Sequence, residues 1–236
     1  MNTTDFLSIA TAICADKAAI IFEGKRYTFA DLNERVNRLA NALMRLGVKK
    51  GERVATLQVN CNQIPEIYYA TAKVGAIFVP LNFRAKEEEL SYMLAHSETN
   101  TLFAGDRYID MVRSMRPQLP LVKNFISIDS KQPDMLYYDD LLASSSAEDV
   151  VTEIGDDDIT MLMYTAGTTG RPKGVPLTHN SFASYILENV EPADPETVEV
   201  NLLTVPLYHV AGAQAMLAAT YGGRTLAMIR QFEVKQ

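Results

Sequence analysis

Tyr164-Thr165-Ala166-Gly167-Thr168-Thr169-Gly170-Arg171-Pro172-Lys173-Gly174-Val175 is the stretch on which the reading of this chain turns. Three glycines, three threonines and one lysine fall within it. An apolar run from Ile159 to Tyr164 precedes it and reads as a buried strand. Glycine has no Cβ, so a glycine-rich turn can bend tightly and aim successive backbone N–H groups at an anion. Threonine hydroxyls add donors, and Lys173 adds a compact positive charge on a flexible stem. That inventory suits a polyphosphate; an ordinary glycine-rich surface turn is the plain alternative. A Walker loop is excluded, because it needs Gly-Lys-Ser/Thr together, and here Pro172 precedes Lys173 while Gly174 follows it.

Strands and helices alternate outward from this stretch. Residues 5–14 are weakly helical, and Ala18 to Thr28 reads as a hairpin turning at Glu23-Gly24. Thr28 is placed to cap a helix with Asp31 in its first turn. Leu32, Val36, Leu39, Ala40, Leu43 and Leu46 then recur at helical spacing up to Gly47. Strands are expected at 53–59, 76–80, 101–104 and 122–128, with helices at 62–74, 86–96 and 106–116 between and after them. Such alternation predicts an α/β fold, with mainly parallel sheets flanked by helices. The polar segment 130–157 reads as a surface linker. It divides a first α/β subdomain, 1–150, from the start of a second, 151–236, that carries the loop. Further on, a helix capped by Thr178 or Asn180, a strand at 201–205, a turn at 206–212 and a strand at 224–229 are expected.

Composition bounds the function. The chain has 236 residues and a net charge of −7, which argues against nonspecific nucleic-acid binding. No apolar run reaches the length of a membrane span, and the N-terminus has no basic leader. A cytoplasmic protein is the expectation, with Cys14 and Cys61 as reduced, partly buried thiols. His96, His179 and His209 have no metal-ligand spacing, and the acidic run Asp156–Asp158 reads as a solvated strand entrance.

The loop resembles the core motif of the acyl-adenylate-forming superfamily, which includes acyl-CoA synthetases, luciferases and the adenylation domains of peptide synthetases. The motif runs Tyr-Thr-Ser-Gly-Thr-Thr-Gly-x-Pro-Lys-Gly-Val and is followed by Leu-Thr-His. Here Leu177-Thr178-His179 follows, and the departure is Ala166. Tyr27 to Leu32 with Val36 to Ala40, Gly51 to Val54, Gly75 to Asn82, and Pro206-Leu207-Tyr208-His209-Val210-Ala211-Gly212 also resemble family stretches, in the family's order. The resemblance covers nearly the whole chain and is closest to the acyl-CoA synthetases.

This resemblance implies a carboxylate–CoA ligase that uses ATP, Mg²⁺ and CoA. A carboxylate attacks the α-phosphate of ATP, and a thiol then attacks the mixed anhydride. It implies that Thr165, Ala166, Gly167, Thr168, Thr169, Gly170 and Lys173 line the triphosphate site, with the Thr165 hydroxyl near Mg²⁺. His209, Val210 and Gly212 belong to the wall of the acyl pocket, and Lys173 and His209 are the candidate catalytic residues. His179 is expected to be structural, at a helix start. The family's Tyr-Gly-x-Thr-Glu and Tyr-x-Thr-Gly-Asp segments do not occur here. The expectation is therefore an N-terminal fragment, inactive alone and prone to self-association as a homo-oligomer through exposed sheet edges. Two alternatives stand beside it: a noncatalytic nucleotide-binding or assembly module, and an adenylation domain feeding a carrier protein.

Overall fold

The computed structural model describes residues 1–165 and 170–232. Helix α1 (Thr3–Cys14) is capped by Asn2. Its side chain accepts from the Thr4 N–H, while Asp5 accepts from the Asn2 N–H. Strands β1 (Ala18–Phe22) and β2 (Lys25–Thr28) form the expected hairpin. Both turn residues, Glu23 and Gly24, have positive φ (49° and 75°), which matches the twist of the paired strands. Helix α2 (Phe29–Arg45) starts on Thr28, which accepts from the Asp31 N–H at 3.0 Å, and buries Leu32, Val36, Leu39, Ala40 and Leu43.

The chain then alternates. β3 (Arg53–Leu57), α3 (Gln63–Lys73), β4 (Ile77–Pro80), α4 (Glu87–His96), β5 (Thr99–Ala104), α5 (Ile109–Met115) and β6 (Asn124–Ser127) follow in order. Next come β7 (Leu136–Tyr137), α6 (Tyr138–Ala143), β8 (Ile159–Thr165), β9 (Lys173–Thr178), α7 (His179–Asn189), β10 (Val200–Leu203), α8 (Val210–Tyr221) and β11 (Thr225–Met228). A seven-stranded sheet has the order β7-β6-β5-β3-β4-β8-β9, parallel except for the β8–β9 pair. A four-stranded sheet has the order β10-β11-β1-β2, with only β1–β2 antiparallel. The large sheet is buried on both faces. Val54, Phe78 and Phe103 enter one core with the helices and the small sheet, while their neighbours Ala55, Val79 and Leu102 enter a second core with α4 and α5. Successive side chains point to opposite faces, so these strands read as unbroken apolar runs.

Neither sheet is divided at residue 150. β8 joins β4 in the large sheet, and β11 lies beside β1 in the small one. Residues 130–157 also differ from a plain surface linker. They contain β7 and α6, and Tyr138 is fully buried. Its hydroxyl donates to Glu66 of α3, which also accepts from Arg35 Nε of α2 and from Asn62, each at 2.9 Å. Residues 144–148 have no strand partner, so their carbonyls must find other donors. Helix α2 supplies them. Arg45 donates to the Ser144 carbonyl, Arg38 to Ser145, Asn41 to Ser146 and Glu148, and Asn37 to Ala147. Buried Lys73 completes the clamp by pairing with Asp149 and donating to Asn37 Oδ1. The polar face of α2 is thus the cradle of the connection.

His179 is the first residue of α7 and is 1% exposed. Its Nδ1 lies 3.3 Å from the Thr3 N–H and 2.8 Å from Thr3 Oγ1. A backbone N–H can only donate, so Nδ1 is the acceptor and the ring is neutral. The relay continues from Thr3 Oγ1 to the Tyr68 hydroxyl at 2.6 Å and on to Thr160 Oγ1 at 3.1 Å. Burial lowers the His179 pKa to about 4, against the opposing pull of Asp158, Asp156 and Asp5. A lowered folded-state pKa means that the unfolded chain takes up the extra proton. Stability is then complete above the unfolded value of about 6.5 and is lost as pH falls towards 4. Denaturant unfolding should show a loss of about 2 kcal/mol between pH 7 and pH 5 from this group. The His179→Gln variant should flatten that slope; an unchanged slope refutes the assignment.

Cys14 and Cys61 are free and buried, and burial pushes the Cys61 thiol up to about 12. Neither is poised as a nucleophile. Among the described residues, no helix is long and apolar enough to cross a membrane, and no cluster of His, Cys, Asp and Glu could hold a metal ion.

Candidate functional site

The glycine- and threonine-rich stretch joins β8 to β9. The register sets Thr165 opposite Lys173 and Tyr164 opposite Gly174. Residues directly opposite in an antiparallel pair share a face, so Thr165 and Lys173 are neighbours on one side and both are exposed. Lys173 has no ion-pair partner among the described residues. Gly170 has a φ of +96°, in the region that favours glycine, with open space where a side chain would stand. Ala166, Gly167, Thr168 and Thr169 lie outside the described residues. The sequence reading missed β9 because Gly174 and Pro176 argue against a strand. Pro is tolerated here because β9 is the edge of the sheet.

Tyr164 and Gly174 share the opposite face. A Cβ on Gly174 would sit 3.5 Å from the Tyr164 ring and 3.1 Å from Leu162 Cδ1, so the tyrosine covers the glycine. The Tyr164 hydroxyl reaches α4, 2.9 Å from His96 Nδ1 and 3.2 Å from the Met93 carbonyl. Burial pushes its pKa up to about 12, so it keeps its proton. At the other end of the loop, the Arg171 guanidinium stacks over the Tyr92 ring at 5.3 Å.

The turn Pro206–Gly212 arrives at the same edge by long-range contacts. Asn60, beyond the end of β3, accepts from the Leu207 N–H at 2.9 Å and donates to the Val205 carbonyl at 3.1 Å. Tyr208 packs edge-on against Phe83, which lies beyond the end of β4 (centroids 5.2 Å apart, planes at 86°). Both belong to the core that Leu162 and Tyr164 join. His209 precedes α8, rests on Tyr208 at 4.3 Å and is exposed, as is Val210. Gly212 is buried, and a Cβ there would meet the Pro206 carbonyl oxygen at 2.4 Å, so only glycine fits. Thr165 closes β8, and the His209 turn is held by Asn60 and Phe83, which follow β3 and β4; both thus lie towards the carboxyl ends of the parallel strands, the edge at which open α/β sheets bind ligands.

The AMP-binding enzyme family profile matches residues 9–236. The chain belongs to that family. As an AMP-binding enzyme it is 34% identical over 211 residues to the long-chain-fatty-acid–CoA ligase FadD13 of Mycobacterium tuberculosis, a match spanning 88% of this chain and 41% of that protein. It is 32% identical over 248 residues to a crotonobetaine/carnitine–CoA ligase of Salmonella arizonae, across 94% and 45% of the two chains. The chain thus spans less than half the length of these relatives. The crystal structure of the N-terminal domain of FACL13 from Mycobacterium tuberculosis superposes with a TM-score of 0.89 at 31% identity, covering 98% of this chain and 58% of that one. The resemblance drawn from the loop and its flanking motifs is upheld, and so is the α/β architecture.

Proposed function

We propose that this AMP-binding chain is the N-terminal part of an ATP-dependent carboxylate–CoA ligase. In this reading Thr165, Gly167, Thr168, Thr169, Gly170 and Lys173 hold the triphosphate. The exposed hydroxyl of Thr165 is a hard oxygen of the kind Mg²⁺ accepts. His209, Val210 and Gly212 form one wall of the carboxylate's pocket. The observation that carries the reading is the register pairing of Thr165 with Lys173, both exposed at the carboxyl ends of the parallel strands. The relatives' names share one chemistry, the joining of a carboxylate to CoA, and that is the substrate class proposed.

The reaction needs no nucleophile from the protein, since the carboxylate oxygen itself attacks phosphorus and pyrophosphate leaves. Work for the protein is then positioning and charge neutralisation. Lys173 lowers the cost of bringing two anions together, and Mg²⁺ when bound shares that charge. Fixing Pro206–Gly212 through Asn60 sets where the acid's carboxylate can lie relative to the loop. Calorimetric titration of the chain with Mg·ATP and with Mg·tripolyphosphate should show saturable, mutually exclusive binding. In a ligase containing this chain, pyrophosphate exchange into ATP should require an added carboxylic acid. Failure of both polyphosphates to bind refutes the loop assignment, and exchange indifferent to acids refutes the ligase.

A further inference from the structure

Helix α4 ends on the phosphate-loop roots in a way the family motif does not predict. Near its end it carries Tyr92, Met93 and His96, which touch Tyr164 on the strand that enters the loop and Arg171 just before the strand that leaves it. On the entering side, the Tyr164 hydroxyl has one proton and two partners. With Tyr164 donating to the Met93 carbonyl, the His96 Nδ1–H donates to Tyr164. On the leaving side, Arg171 lies over Tyr92. The Tyr92 ring in turn lies 5.3 Å from His96, whose ring meets Tyr164 edge-on at 5.9 Å and 75°. Four side chains from two sequence regions thus form one continuous stack bracketing residues 166–170.

We propose that Tyr92 and His96 are positioning residues for the polyphosphate site, acting through Tyr164 and Arg171 to fix where the paired Thr165 and Lys173 sit relative to α4. This rests on the reading of the loop as a phosphate site. Tyr164 is adjacent to Thr165 and paired with Gly174, so a slip of its ring shifts both strands of the Thr165–Lys173 pair together. Arg171 is two residues from Lys173, and its stacking on Tyr92 restrains the chain that leads into Lys173. Without the grip, the two strand ends keep their ladder but lose the side-chain support that holds the pair against α4.

The test uses the 236-residue chain and Mg·tripolyphosphate titrated by calorimetry. His96→Leu should weaken binding about fivefold, the weight of one neutral hydrogen bond. His96→Asn, whose amide N–H can stand where Nδ1–H stood, should restore binding to within about twofold. Tyr164→Phe keeps the ring over Gly174 and should weaken binding by a similar factor. The double variant with His96→Leu should be no weaker than Tyr164→Phe alone, because the phenylalanine has already removed the bond that His96 makes. Unliganded thermal midpoints are measured alongside. A loss of binding that tracks a fall in midpoint, without rescue by Asn, reduces the cluster to ordinary packing and overturns the proposal. Wild-type affinity in His96→Leu also overturns it, and Lys173→Ala then separates the cases: lost binding there keeps the loop reading, whereas retained binding removes both. Additive effects of His96→Leu and Tyr164→Phe would show that the two residues do not act through a shared bond.

Discussion

Replacing Lys173 with alanine should weaken Mg·ATP binding by the chain roughly 50-fold, the weight of a charge-assisted hydrogen bond. Lys173 begins β9 and is held opposite Thr165 by the β8–β9 ladder. Its ammonium is exposed and unpaired among the described residues, so no internal salt bridge is lost when it is removed. Folding stability should stay close to wild type, as for most surface substitutions. Lys173→Arg should recover only part of the affinity, because a planar fork does not replace a point charge on a flexible stem. The readout is the calorimetric dissociation constant at fixed ionic strength, with the unfolding midpoint measured in parallel. Affinity within about twofold of wild type would remove Lys173 from the site.

The largest stability effect should come from Glu66→Ala, at about 3 kcal/mol. Glu66 is 1% exposed and receives three donors, from Arg35, Asn62 and Tyr138. Burial raises its pKa, and the charge of Arg35 together with the hydrogen bonds from Tyr138 and Asn62 opposes that. Truncation leaves the buried Tyr138 hydroxyl without its acceptor and takes the counter-charge from a largely buried guanidinium. It also opens a gap where α2, α3 and α6 meet. Removing one partner of a buried pair costs far more than the pair contributes net, because the survivor stays desolvated. Glu66→Gln keeps the volume and one acceptor oxygen, so it should cost less. Equilibrium denaturation decides this, and a Glu66→Ala variant within about 1 kcal/mol of wild type would sink the argument.

The superfamily was legible in the stretch 164–175 and its flanking motifs, because the order and spacing of those residues are specific, and the family match upholds it. Thr28 was legible as a cap because a hydroxyl with an acid three residues on is a local signal. Strand β9 was hidden because Gly174 and Pro176 oppose strand formation, and only an edge position tolerates them. Helix α6 was hidden in a polar segment because its few apolar residues, Tyr138, Leu141 and Leu142, are too short a run to give a period. Thr165 and Lys173 are candidates by residue type, but their placement on one face follows from the register of β8 and β9.

The sequence by itself determined most of the alternation of strands and helices, the helix start at Thr28, and the superfamily that the loop and its flanking motifs resemble; of the two caps it offered for the later helix, Thr178 and Asn180, the structure selects Thr178. These depend on side-chain period, capping and backbone freedom within a few residues of one another, so a linear reading reaches them. Tertiary structure alone decided what meets across the chain. It pairs β1 with β11, seats residues 144–149 on α2 and Lys73, sets Tyr208 on Phe83, and brings His96 to Tyr164. Such contacts join residues tens to hundreds of positions apart, and local propensity is indifferent to them. They are selected when two apolar faces close over each other and every buried donor must find an acceptor.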